Sequence, residues 1–134
     1  MNIKRLQPEG IHIREIDGRA LYSHVVAADG GKRIYVSGQL ARDAEGNLVG
    51  RGDMRAQIEQ VGKNLQRCLE AAGAQLSNLV KTTTYVTDID EFFRHTDMRM
   101  RYFGPGLPAS TTVEVRRLSH PDFLVEVEAT AIIE

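Results

Sequence analysis

Apolar residues along this chain fall into two periods. Met54, Ile58, Val61, Leu65, Cys68, Leu69 and Ala72 recur at three- and four-residue steps, as on one buried helix face. Asp53 stands where an N-cap side chain accepts from first-turn amides, and Gly73 supplies the stop. Elsewhere the period is two or the run is rich in β-branched residues. Residues 33–40 (RIYVSGQL), 79–87 (LVKTTTYVT), 111–117 and 123–133 (FLVEVEATAII) predict strands. Nearer the N-terminus, residues 3–6, 11–15 and 21–27 are further strand candidates, and Asp29-Gly30-Gly31 is a turn. Residues 42–52 read as loop. Residues 89–103 predict a second helix anchored by Ile89, Phe92, Phe93 and Met100 and ended by Gly104-Pro105. Gly38 interrupts its strand, where a bulge or a close backbone approach is expected.

Strands segregated around two helices predict one α+β domain over residues 1–134, with the helices on one face of a sheet. In the last strand, Val125, Val127, Ala129, Ala131 and Ile133 share the side suited to packing under helices. Leu124, Glu126, Glu128, Thr130 and Ile132 share the other. In the preceding strand Val113 and Val115 oppose Ser110, Thr112, Glu114 and Arg116, and the polar set is assigned to the same second face as Glu126. Leu124 and Ile132 on that face suggest that another subunit partly covers it. Glu126 then has two readings. It is either a polar residue on a solvated strand or a carboxylate at a subunit seam, able to orient water or relay a proton.

Composition narrows the chemistry. The chain is 42% hydrophobic and 26% charged, with a net charge of −1, so neither a basic nucleic-acid track nor a polybasic membrane patch is expected. The N-terminus lacks the apolar core of a signal peptide, which points to the cytoplasm. One cysteine, Cys68, leaves no internal disulfide or cysteine-rich metal site, and its place on the apolar helix side predicts an inert thiol. His12, His24, His95 and His120 show no metal-ligand spacing. Arg94, Arg99 and Arg101 cluster on the second helix and read as a solvated face. The turn Gly104-Pro105-Gly106 lacks the rest of a phosphate loop, and the hydroxyl run Ser110-Thr111-Thr112 follows it.

Several stretches, taken in order, resemble the Rid (YjgF-type) family of reactive-intermediate deaminases. They are Val36-Ser37-Gly38-Gln39, Leu69-Glu70-Ala71-Ala72-Gly73, Val80-Lys81-Thr82-Thr83-Thr84-Tyr85-Val86, Pro108-Ala109-Ser110-Thr111-Thr112-Val113-Glu114-Val115 and Leu124-Val125-Glu126-Val127-Glu128-Ala129-Thr130-Ala131. The resemblance runs over roughly residues 20–133. It implies a chorismate-mutase-like mixed β-sheet with two helices on one face. It also implies a homotrimer with a central barrel and small-molecule clefts between subunits. The activity it implies is hydrolysis of an enamine or imine to a carbonyl product and ammonia, without a cofactor.

Carried over residue by residue, the resemblance assigns Glu126 to the attacking water. It assigns Tyr22, Gly38 and the backbone at Thr112 to the substrate pocket. Two positions depart from the family pattern. Ser110 stands where the deaminases carry an arginine that clamps a substrate carboxylate, and Thr96 where they carry an asparagine. A serine cannot reproduce a two-pronged guanidinium contact. Loss of one hydrogen bond to a charged group costs on the order of 1.5–3 kcal/mol. Arg116 lies about 20 Å along the strand from Ser110, so Arg51 or Arg101, approaching from a loop, the helix or a neighbouring subunit, is the candidate replacement. The first reading of function is therefore a divergent deaminase with altered substrate choice. The alternative is a non-catalytic metabolite-binding or regulatory trimer. A ribonuclease ranks last, because the sequence shows no basic RNA track.

Overall fold

The computed structural model describes all residues from Met1 to Glu134. Strand β1 (Asn2–Leu6) pairs antiparallel with β4 (Val25–Asp29), and between them β2 (Glu15–Ile16) and β3 (Arg19–Ala20) make a small hairpin. The principal sheet holds β5 (Lys32–Gln39), β6 (Leu79–Val86), β7 (Ala109–Glu114) and β8 (Val125–Ile133) in the order β5-β8-β6-β7. β8 runs antiparallel to both β5 and β6, while β6 and β7 are parallel. The sheet is thus mixed, and β7 is an edge.

Helix α1 (Met54–Ala71) lies across one sheet face. The Asp53 carboxylate accepts from the Ala56 amide at 3.0 Å, and Gly73 follows the helix at φ +82°. Met54, Ile58, Val61, Leu65 and Leu69 bury against Ile34 and Val36 of β5 and the inward set of β8. Each such side chain contributes about 1.5–3 kcal/mol. Gln57, fully buried among them, donates to the Gly50 and Asp122 carbonyls and accepts from the Leu124 amide at 2.8 Å. Those bonds tie the loop before α1 to the start of β8, which begins at Val125 rather than at residue 123.

The predicted second helix is two, so three helices cover the sheet. They are α2 (Ile89–Phe93) and α3 (Thr96–Phe103). The Thr96 hydroxyl donates to the Phe93 carbonyl at 2.8 Å, and His95 leaves helical geometry at φ −113°, ψ 40°. The expected strand over residues 21–27 begins only at Val25. Ser23 is buried and bonds to the turn before β7, its hydroxyl to Leu107 O at 2.6 Å and its amide to Pro108 O at 3.2 Å. Of residues 11–15 only Glu15 enters a strand.

Two facial assignments are also corrected. Ser110 pairs with Thr82 and Thr112 with Thr84, and both threonines are buried toward the helices. Ser110 and Thr112 therefore lie on the helix side, and Val113, paired with Tyr85, is on the open face with Glu126. Alternation was read correctly, but the parallel register with β6 decides which set faces inward. The expected cover for Leu124 and Ile132 comes from the chain itself. Leu124 packs against the core, and Ile132 is only 5% exposed, beside Gly31. What remains open is the face bearing Tyr35, Thr83, Tyr85, Val113, Glu126 and Glu128, with Tyr35 74% exposed.

Candidate functional site

Two groups of side chains result, one on each side of the sheet. On the open face the ladder between β5 and β8 slips between Val36 and Gln39. Gly38 sits in that irregularity, and the Glu126 carboxyl group lies directly over it. A Cβ on Gly38 would fall 2.8 Å from Glu126 Cδ and closer still to Oε2. Glu126 is half-buried and paired in register with Tyr85. The side-chain hydrogen bonds of this face leave its carboxylate free. They join Tyr85 Oη to Glu128 Oε1 at 2.7 Å and Lys81 Nζ to Thr111 Oγ1 at 3.1 Å. The Tyr85 phenol is held above its ordinary pKa, first by the hydrogen bond to Glu128, then by desolvation and the negative charges of Glu128 and Glu126.

On the helix side, Arg99 reaches Ser110 near the start of β7. Tyr22 is half-buried, with its ring edge against His24 at 5.3 Å. Arg99, from α3, is 6% exposed; its Nη2 donates to Ser110 Oγ at 3.3 Å and its Nη1 lies 3.7 Å from Met100 Sδ. Burial lowers the Arg99 pKa, the charge of Arg14 lowers it further, and Tyr22 opposes them. It remains a cation at neutral pH. Arg14 itself lies 4.5 Å over the Phe93 ring.

Thr96 is half-buried on α3, and its hydroxyl is engaged in the helix break. It lines a groove of about 570 Å³ with Asp17, Arg19, Leu21 and Met100, between the β2–β3 hairpin and α3. Thr112 lies two residues past Ser110 on β7, whose outer edge has no strand beside it. Half of that strand's backbone groups therefore point away from the sheet.

The structure thus brings Gly38 to Glu126 and Arg99 to Ser110, and places Glu126 and Ser110 on opposite sides of the sheet within one chain. Within one chain neither Arg51 nor Arg101 reaches Ser110. Arg51 pairs with Asp122, and Arg101 lies over Tyr102 at 5.3 Å. The residue there is Arg99, which the sequence reading placed on a solvated face. One signal for it existed: Thr96, Arg99 and Phe103 fall at helical spacing, so Arg99 shares a face with a buried aromatic. No three His, Cys, Asp or Glu side chains converge as metal ligands, and no helix is long and apolar enough to cross a membrane.

Comparison with known proteins fits this architecture. Residues 12–133 match the family described as endoribonuclease L-PSP. A RutC family protein of Pyrococcus abyssi is 39% identical over 104 residues, covering 78% of this chain and 81% of its own. A rat 2-iminobutanoate/2-iminopropanoate deaminase is 35% identical over 111 residues, covering 83% and 79%. A solved Rid-family structure from Yersinia pestis, of unknown function, superposes with a TM-score of 0.84 at 31% identity, covering 99% of this chain and 100% of that one. With the mixed sheet, the glycine bulge and the ordered motifs all in place, the chain belongs to the endoribonuclease L-PSP family, the YjgF/Rid/RutC group that the sequence resembles.

Proposed function

We propose that this protein hydrolyses an enamine or imine metabolite to a carbonyl product and ammonia, with Glu126 managing the water and its protons. The observation that carries the reading is the Glu126 carboxylate, free of internal partners and lying over the Gly38 backbone. In the imine form the substrate carbon is already electrophilic. Glu126 takes a proton from water as the oxygen bonds to that carbon, and passes it to the nitrogen, which becomes an amine as the C=N π bond breaks. In the collapse of the carbinolamine Glu126 takes the hydroxyl proton as the C=O bond forms and gives it to the departing nitrogen, so the C–N bond breaks and ammonia leaves. The carboxylate accepts and returns one proton in each step, so no cofactor enters. Deaminases of this kind among the relatives support the reaction class.

A site containing both Glu126 and Ser110 requires two copies of the chain, because the residues lie on opposite sides of one sheet. The uncovered face with Tyr35 and Val113 supports assembly there, and the homotrimer implied by the family resemblance is the arrangement proposed. The small-molecule clefts then lie between subunits.

The test is an imine-trapping assay. An amino-acid oxidase generates imino acids, semicarbazide competes for them, and catalytic amounts of protein are added. Wild type lowers trapping and Glu126→Gln does not. Ser110 in place of arginine favours a second reading, a metabolite-binding trimer without turnover. Stoichiometric binding of a metabolite with no loss of trapped imine across aliphatic, aromatic and acidic substrates would support that one.

A further inference from the structure

We propose that Glu128 and Tyr85 are positioning residues for Glu126: by holding the Tyr85 hydroxyl, Glu128 keeps the Glu126 carboxylate free to take a proton from water. Their effect on turnover rests on the proposed deaminase reading; the competition of two carboxylates for one hydroxyl does not.

Glu126 and Glu128 stand two residues apart on β8 and share the open face, with their Cα atoms about 7 Å apart at strand rise. Tyr85 is paired in register with Glu126 on the neighbouring strand. Its hydroxyl nevertheless passes that carboxylate and donates diagonally to Glu128 Oε1 at 2.7 Å. An aromatic side chain reaches both the opposite and the diagonal residue of an antiparallel pair. Both carboxylates act on the phenol. Its pKa is raised first by the hydrogen bond to Glu128, and the charge of Glu126 adds to the rise. Tyr85 is therefore close enough to feel Glu126 while bonded to the acid beside it. The ammonium of this face is also turned away, with Lys81 Nζ donating to Thr111 Oγ1 at 3.1 Å.

A phenol has one proton to donate. A carboxylate that accepts a hydrogen bond holds its charge more firmly and is a weaker base. On Glu126 such a bond would also occupy an oxygen that water needs. Two features keep that carboxylate open. The missing side chain of Gly38 gives it room on one side, and Glu128 draws the tyrosine away on the other. Glu128 takes no part in the reaction itself and acts through Tyr85.

The experiment compares Glu128→Ala, Glu128→Gln and the double variant Glu128→Ala with Tyr85→Phe, by crystal structure and by the imine-trapping assay. In Glu128→Ala the Tyr85 hydroxyl should turn to Glu126, at about 2.6 Å. Its kcat should fall about ten-fold or more at unchanged KM, the scale of one hydrogen bond to a charged group. Adding Tyr85→Phe should restore kcat, because no hydroxyl is left to occupy Glu126. Glu128→Gln keeps an acceptor oxygen for the tyrosine and should keep most of the turnover. Glu128→Leu, which also lacks an acceptor, replaces the alanine variant if that one fails to fold or assemble. A merely structural role for Glu128 predicts the reverse order, with the double variant the worst. A Tyr85 hydroxyl that stays away from Glu126 in Glu128→Ala overturns the proposal. So does wild-type kcat in that variant, or a loss that Tyr85→Phe does not repair. Wild type without imine turnover would sink the deaminase reading. The crystal structure would then decide alone: a hydroxyl that moves to Glu126 upholds the competition, and one that does not overturns it.

Discussion

The Glu126 carboxyl group occupies the space that a side chain at position 38 would fill. Gly38 is needed here for room, since only its missing Cβ lets the carboxylate rest against the backbone. Gly38→Ala should therefore displace the end of the Glu126 side chain while leaving the fold intact. That end is mobile, so the stability change should stay within about 1 kcal/mol, below the usual 1–3 kcal/mol of overpacking. Imine turnover should fall to the level of Glu126→Gln. Adding Gly38→Ala to Glu126→Gln should then cost nothing more, because the two substitutions act on one position. Thermal melts and the trapping assay check both halves.

Gly62 of α1 shows the opposite case. A Cβ there would lie 2.7 Å from Tyr102 Cβ and closer still to the ring, and Tyr102 is buried in the core. Alanine would gain about 1 kcal/mol of helix propensity. The ring has nowhere to go between α1 and α3, so Gly62→Ala should be destabilising by about 1–3 kcal/mol net. Urea denaturation measures it, and a stabilised variant would contradict the close packing of these helices.

Arg55 of α1 and Asp97 of α3 form a two-pronged pair, Nη1 to Oδ1 at 2.9 Å and Nη2 to Oδ2 at 2.6 Å. The hydrogen bond from Arg55 lowers the Asp97 pKa from 3.8 to about 2. A carboxyl with a depressed folded-state pKa stabilises the fold above its unfolded value and loses that contribution as pH falls through the folded one. The melting temperature of wild type should thus exceed that of Asp97→Asn near pH 5. The gap should close between about pH 4 and pH 2. Both side chains are exposed, so the gap should be small and should shrink in high salt.

Helix α1 was legible because period, cap and stop agree on one element, and β8 because its alternation is long and its inward set is uniformly apolar. The break at His95 was not, because it depends on the Thr96 hydroxyl taking the Phe93 carbonyl, a bond with no signature in the sequence. Placement of Ser110 failed for a different reason. Alternation sorts a strand into two sets, but only pairing with the buried threonines of β6 says which set meets the helices. Arg99 was hidden between two arginines that are exposed, Arg94 and Arg101. The arginines around it in sequence describe a polar face, and its neighbours at helical spacing describe a buried one.

The open sheet face carries the last prediction. Tyr35 stands 74% exposed there, with Val113 at 39% on the far strand, and no helix covers either. Exposed large apolar groups on one sheet face are what a subunit contact covers. A charge at Tyr35 would be desolvated on association, so Tyr35→Glu should shift the protein toward monomer, read as mass by light scattering. The buried core lies on the opposite face, so the melt of the separated chain should remain cooperative. Turnover should fall with the loss of assembly, because Glu126 and Ser110 then have no second copy to meet. Raising protein concentration should restore mass and turnover together. A Tyr35→Glu monomer that deaminates imines at the wild-type rate would show that one chain holds the whole site, and would remove the two-copy arrangement from the proposed mechanism.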